Sequence, residues 1–156
     1  MSPAKPSRAT LVPVLRYRDA DAALKFLTEV FGFEAGPPFR DEAGHIAHCE
    51  LSFGNGVLML SEVSDTQFGK LMRQPEEAGG VTMALFAVVS DPDAHYARSL
   101  AAGFEIVLKL RDEDYGSREY SVRDPEGQIW TFGTYDALPL VPLPLVPLPL
   151  APSSLA

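Results

Sequence analysis

The residues in this chain best suited to chemistry are His48, Glu50 and Glu62. His48 and Glu50 sit two apart in a stretch of strand-like alternation, so their side chains leave the same face. Glu62 belongs to the next strand, across a Gly54-Asn55-Gly56 turn. An imidazole and two carboxylates form a donor set that can hold a divalent cation. A metal held there could polarise an oxygen of a bound molecule and assist proton transfer. The same residues also read as polar groups edging a cleft, or as hydrogen-bonded structural groups. Cys49 faces opposite to both neighbours and reads as a small buried hydrophobe, which argues against a Cys-His pair. His45 is expected to be solvated at a strand start, and His95 on the surface one turn into a helix. No Ser-His-Asp elbow, phosphate loop or nucleotide fingerprint accompanies these groups.

The elements that would position them come in duplicate. Asp19 and Asp91, 72 residues apart, each open a stretch with helical spacing. Gly32-Phe33-Glu34 and Gly103-Phe104-Glu105, 71 apart, close the two stretches. Apolar residues at Ala22, Ala23, Phe26, Leu27, Val30 and Phe31 give the spacing of an amphipathic helix. Strands are expected at 10–17, 33–39, 45–53 and 57–63, then at 81–89, 104–110, 118–123 and 128–135. The organisation is therefore an N-terminal arm at 1–9 and an α+β domain at 10–136. Within the domain, module one spans 10–63, a connection 64–80 and module two 81–136. Asp124-Pro125-Glu126-Gly127 is a turn in which Asp124 accepts amide hydrogens and Pro125 fixes φ. On the last strand, Trp130 and Phe132 share one face, and Thr131, Gly133 and Tyr135 the other. Residues 137–156 repeat Leu-Val-Pro-Leu-Pro and are expected to form an extended, polyproline-like tail.

Bulk composition narrows the function. A net charge of −8 without a basic stripe excludes ordinary nucleic-acid binding. The single cysteine allows no internal disulfide and agrees with a cytoplasmic location. No apolar run reads as a signal peptide or membrane span, so no membrane partner is expected.

The segments Leu15-Arg16-Tyr17, Phe31-Gly32-Phe33, Gly44 to Leu51, Tyr115 to Glu119 and Arg123 to Tyr135 resemble the vicinal oxygen chelate superfamily. That superfamily contains glyoxalase I, bleomycin-resistance proteins and extradiol dioxygenases, and the likeness is closest to the bleomycin-resistance-like branch. It implies paired βαβββ modules forming a U-shaped cleft, often completed in a homodimer. It also implies metal-ligand positions on the first and last strands of each module, here Val12, Ala84, Leu60 and Thr131. None of these four side chains is a useful ligand for zinc, nickel, iron or manganese, so no metal or other cofactor is expected. Within this resemblance Thr131 lines the cleft, Tyr135 offers it a ring and hydroxyl, and Tyr115 borders its mouth. Phe39 and Met59 add apolar lining or belong to the core. The expected function is metal-free binding of a hydrophobic or cationic small molecule, with ligand contacts from His48, Glu50, Leu60, Glu62, Tyr115, Thr131 and Tyr135. The alternative is a divalent-metal lyase, isomerase or dioxygenase whose ligands are rearranged onto His48, Glu50 and Glu62.

Overall fold

An unpaired amide at the start of a helix needs an acceptor, and the two duplicated aspartates supply one each. In the computed structural model, which describes residue 9 and residues 11–135, Asp19 accepts from the Ala22 amide at 2.9 Å and Asp91 from the Ala94 amide at 3.0 Å. The order of elements is β1 (Val14–Tyr17), α1 (Ala20–Glu29), β2 (Glu34–Ala35), β3 (Phe39–Arg40), β4 (Ile46–Phe53), β5 (Gly56–Glu62), α2 (Pro75–Ala78), β6 (Leu85–Val88), α3 (Pro92–Ala101), β7 (Glu105–Asp112), β8 (Arg118–Arg123) and β9 (Ile129–Gly133). Helices α1 and α3 end alike, on Gly32 and Gly103 with φ of 88° and 78°. The amides of Phe33 and Phe104 then turn back to the carbonyls of Leu27 and Ser99 at 2.9 and 3.1 Å. That closure needs a left-handed residue, which glycine adopts without steric penalty. The tail expected at 137–156, and the arm apart from Ala9, lie outside the described residues.

Each module makes one sheet. Module one has the order β1-β5-β4-β2, with β3 also pairing with β4, and module two the order β6-β9-β8-β7. In both, the first and last strands run parallel and the other pairs antiparallel. The strand expected across 33–39 is split into β2 and β3 around Pro37-Pro38, whose missing N–H groups interrupt the ladder. The mixed helix and sheet content makes the chain α+β, as the sequence implies.

One hydrophobic core serves both sheets. Phe26, Leu27 and Phe31 of module one meet Tyr120, Val122, Trp130 and Phe132 of module two in it. The Phe31 ring lies 4.8 Å from that of Phe132 and 5.6 Å from that of Trp130. Trp130 and Phe132 are therefore core residues, on the face the strand alternation assigns them.

His95 departs from expectation. It is only 3% exposed, not a surface residue. Pro92, His95 and Ser99 form the inward stripe of α3, at a spacing that puts them on one helical face. His95 Nε2 donates to the Phe31 carbonyl at 2.9 Å, so its Nδ1 accepts from the Tyr120 hydroxyl, 2.5 Å away. The Ser99 hydroxyl in turn donates to Tyr120 at 2.8 Å. Every polar atom of the ring is paired, which is what allows an imidazole to be buried. Burial pushes its pKa below the ordinary value, keeping it neutral.

Asp124 does more than the turn role expected of it. Its Oδ1 accepts from the amides of Glu126 and Gln128 at 2.9 and 3.1 Å. Its Oδ2 accepts from Tyr17 of module one at 2.8 Å and from the Trp130 indole at 3.1 Å. Next to it, the Glu126 carboxylate accepts from the Arg18 and Asp19 amides at 2.6 and 3.0 Å. The turn of module two thus grips the end of β1. Burial raises the Asp124 pKa in spite of its donors, and burial beside that carboxylate raises the Tyr17 phenol well above its usual value.

The connection 64–80 folds back on module one. Arg16, only 4% exposed, donates to the carbonyls of Gly69 at 2.6 Å and Ser64 at 2.9 Å. A Cβ on Gly69 would lie 2.4 Å from the Ser64 carbonyl, so the close approach requires glycine. Gln74 precedes α2 and donates to the Arg16 carbonyl at 2.9 Å. No helix among the described residues is long and apolar enough to cross a membrane.

Candidate functional site

The outer face of the module-two sheet, turned away from Trp130 and Phe132, carries an aromatic cavity. Register puts Thr131 beside Phe86 on one side and Ser121 on the other, and puts Glu119 opposite Gly133. Tyr115 comes from the loop between β7 and β8, where Gly116 takes a φ of 88°. Phe86, Tyr115, Glu119, Thr131 and Tyr135 line a cavity of about 400 Å³. The Tyr135 ring stands perpendicular to Tyr115 at 5.7 Å between centroids, and at 81° to Phe86 at 6.2 Å. The three rings make walls rather than a stack, an arrangement favoured by ring quadrupoles. The hydroxyls of Thr131 and Ser121 are 2.7 Å apart at its base.

Glu119 is the polar group of this cavity. Tyr115 donates its phenol hydrogen to Glu119 Oε1. That bond is the main reason the Tyr115 pKa is pushed up to about 12, so the phenol stays a donor. Glu119 Oε2 is buried without a hydrogen-bond partner among the described residues, and so is Ser117 Oγ, two residues back. The Glu119 side chain packs directly over Gly133, where a Cβ would come within 2.5 Å of the glutamate Cβ.

Three of the expected site residues, Tyr115, Thr131 and Tyr135, therefore meet in one cavity. The four from module one do not join them. His48 and Glu50 are exposed on β4, with 3.6 Å between His48 Nε2 and Glu50 Oε1. Leu60 is corrected outright: it is 1% exposed and belongs to the core. Glu50 lies opposite Met59, whereas its counterpart Ser121 lies opposite Thr131. The β8–β9 hairpin is thus one residue longer than β4–β5, and a shift of one residue turns a side chain to the other face. Met59, not Leu60, matches Thr131. Glu62 alternates with Leu60, sits opposite Tyr17 and comes within 4.0 Å of His45. It therefore leaves the face opposite to Glu50, and the His48, Glu50, Glu62 cluster does not form. Among the described residues no group of three His, Cys, Asp or Glu side chains is close enough to hold a metal. Val12 and Ala84 lie just before β1 and β6 rather than on them, and with Met59 and Thr131 they offer no imidazole, thiolate or carboxylate donor at the positions the resemblance implies.

Cys49 is fully buried, with its Sγ 3.5 Å from the Gly36 carbonyl, and burial raises its thiol pKa. His45 is solvent-exposed beside β4, as expected. Phe39 is 68% exposed and lines no core. Sequence reasoning missed Phe86 and Glu119. Both had a signal: Phe86 is two residues from Ala84, and Glu119 is two from Ser121, on the face that Thr131 defines.

The fold agrees with that of known proteins. The family model of the Glyoxalase/Bleomycin resistance protein/Dioxygenase superfamily matches residues 10–132. Uncharacterized proteins of Mycobacterium bovis and Mycobacterium tuberculosis are 30% identical over 128 residues, which cover 79% of this chain and 81% and 72% of those proteins. Among solved structures, TioX from Micromonospora sp. ML1 is 36% identical with a TM-score of 0.62, over 80% of this chain and 97% of that one. A lactoylglutathione lyase from Agrobacterium tumefaciens shares the fold, with a TM-score of 0.55 at 22% identity, over 83% of this chain and 95% of that one. The duplicated strand-helix-strand modules, their parallel first and last strands and the matched family model together show that the chain belongs to the Glyoxalase/Bleomycin resistance protein/Dioxygenase superfamily.

Proposed function

We propose that this protein is a small-molecule-binding protein of the bleomycin-resistance type, holding a hydrophobic or cationic compound without a metal. The observation that carries this reading is the module-two cavity, with three aromatic walls and a few fixed polar groups. Ligand sites of this kind are concave, mostly apolar and oriented by a small number of polar atoms. The poor ligand set at the first- and last-strand positions supports the metal-free form. The homodimer implied by the resemblance belongs to the same reading, and sedimentation velocity tests it.

Two measurements test the function. Elemental analysis of protein purified without chelator should find no metal approaching one per chain, and nickel, zinc, manganese and iron should leave the melting temperature unchanged. A thermal-shift screen of planar and amphipathic compounds should find saturable stabilisation that Phe86→Ala and Tyr135→Ala weaken. Stoichiometric metal that stabilises the fold would overturn the reading.

A further inference from the structure

Strand β6 ends the module-two sheet. It pairs with β9, and among the described residues no strand lies against its other edge. The Val89 amide donates to the Gly133 carbonyl on the β9 side at 2.8 Å. Amides alternate in direction along a strand, so those of Phe86 and Val88 face the open edge. An open edge recruits an extended segment. Beside it lies an apolar groove of about 400 Å³, lined by Leu11, Pro13, Phe53 and Val57 of module one and by the whole of β6. No charged side chain lines it.

The sequence beyond the described residues has the pattern such an edge needs. In Leu140 to Leu145, the prolines stand at 142 and 144, so Val141, Leu143 and Leu145 keep their N–H groups. The second copy of the repeat is alike: Val146, Leu148 and Leu150 alternate with Pro147 and Pro149. Extended, each copy has one edge that can pair and one that cannot. That suits the border of a sheet, where proline faces outward and stops further strands from adding. The reach also fits. Strands β6 and β9 run parallel, so the chain leaves β9 at the Val88 end of β6, where the Tyr135 ring lies 6.2 Å from Phe86. Crossing two strand spacings takes about 10 Å, and residues 136–140 extend about 15 Å at about 3.1 Å each.

We propose that residues 141–145 of this chain pair antiparallel with the open edge of β6, their leucine and valine side chains lying along the apolar groove. The docking goes beyond the small-molecule-binding reading and does not depend on it.

The test is amide hydrogen exchange of the full chain, read residue by residue by NMR. The Phe86 and Val88 amides should exchange at least about tenfold more slowly than in a chain ending at Asp136, and the slowing should not change on dilution. Two double variants then probe the pairing edge. Leu143→Pro with Leu148→Pro removes the central N–H of each copy and should speed exchange to the level of the shortened chain. Pro144→Ala with Pro149→Ala leaves those N–H groups in place and should keep the slow exchange. Equal exchange in the full and shortened chains would overturn the docking. Equal behaviour of the two double variants, whether both keep the slowing or both lose it, would overturn the pairing. Slowing that fades on dilution would assign the edge to the same segment of a second copy and overturn the intrachain form.

Discussion

The two modules share a plan but differ in what they do with their outer faces. Module one uses a buried arginine there: Arg16 ties down the carbonyls of Ser64 and Gly69, and the connection folds against it. Module two leaves that surface open, with Phe86 45% and Tyr115 59% exposed beside the Glu119 carboxylate. Their hairpins differ as well. The Gly54-Asn55 turn makes a short, exposed loop, while the longer Asp124-Pro125-Glu126-Gly127 turn reaches across to Tyr17, Arg18 and Asp19. One duplicated unit has been given the task of structural closure, and the other an open cavity.

The largest effect should come from the strand faces. Leu60→Glu places a charge in the core and should cost about 4 kcal/mol or more, whereas Met59→Glu should cost less than about 1 kcal/mol. Urea unfolding of the two variants checks it, and equal losses would break the assigned register. Next, Asp124→Ala leaves the Tyr17 hydroxyl, the Trp130 indole and two amides without their acceptor. A loss of about 3 kcal/mol is expected, and a loss below about 1 kcal/mol would show that the grip between modules is not needed. Arg16→Met should cost about 2 kcal/mol by freeing two carbonyls, and should leave ligand affinity in the module-two cavity unchanged. Coupled loss of affinity would show that the modules do not divide their tasks.

Within the cavity, Phe86→Ala should weaken binding of whichever compound the screen finds by roughly tenfold, while stability changes by less than about 1 kcal/mol because Phe86 is already half exposed. The smallest effect is a pH dependence. His95 has a folded pKa below its ordinary value of about 6.5, so protons favour the unfolded chain. Its contribution is present above that value and is lost as pH falls below it towards the folded pKa. Asp124 runs the other way: its folded pKa is raised, so its contribution is present below the ordinary carboxylate value of about 3.9 and lost as pH rises through the folded pKa. Unfolding between pH 5 and pH 7 should therefore show a slope of stability with pH that flattens in His95→Gln. An unchanged slope would place the titrating group elsewhere.

The helices, caps and turns were legible because their signals are local. Asp19 and Asp91 cap amides three residues away, and Gly32 and Gly103 stop helices within one turn. The alternation of Trp130, Thr131 and Phe132 likewise predicted which of them would be buried. The candidate site was read only in part. The 71-residue offset between the turns pointed to Leu60 as the partner of Thr131, but one extra residue in the second hairpin moved the match to Met59. His95 looked like a surface residue because a polar side chain on a helix usually faces water. Its partners, Tyr120 and the Phe31 carbonyl, are 25 and 64 residues away, and no spacing within α3 announces them.

The amino-acid sequence by itself determined the two modules, their helices and their turns, since each depends on residue type and short-range spacing. Only the tertiary structure decided that Phe86 and Glu119 join Tyr115, Thr131 and Tyr135 in one cavity, and that His48, Glu50 and Glu62 do not meet. Those outcomes depend on which strands pair, in which register and which face each side chain takes, and pairing across a sheet brings together residues that no local pattern connects.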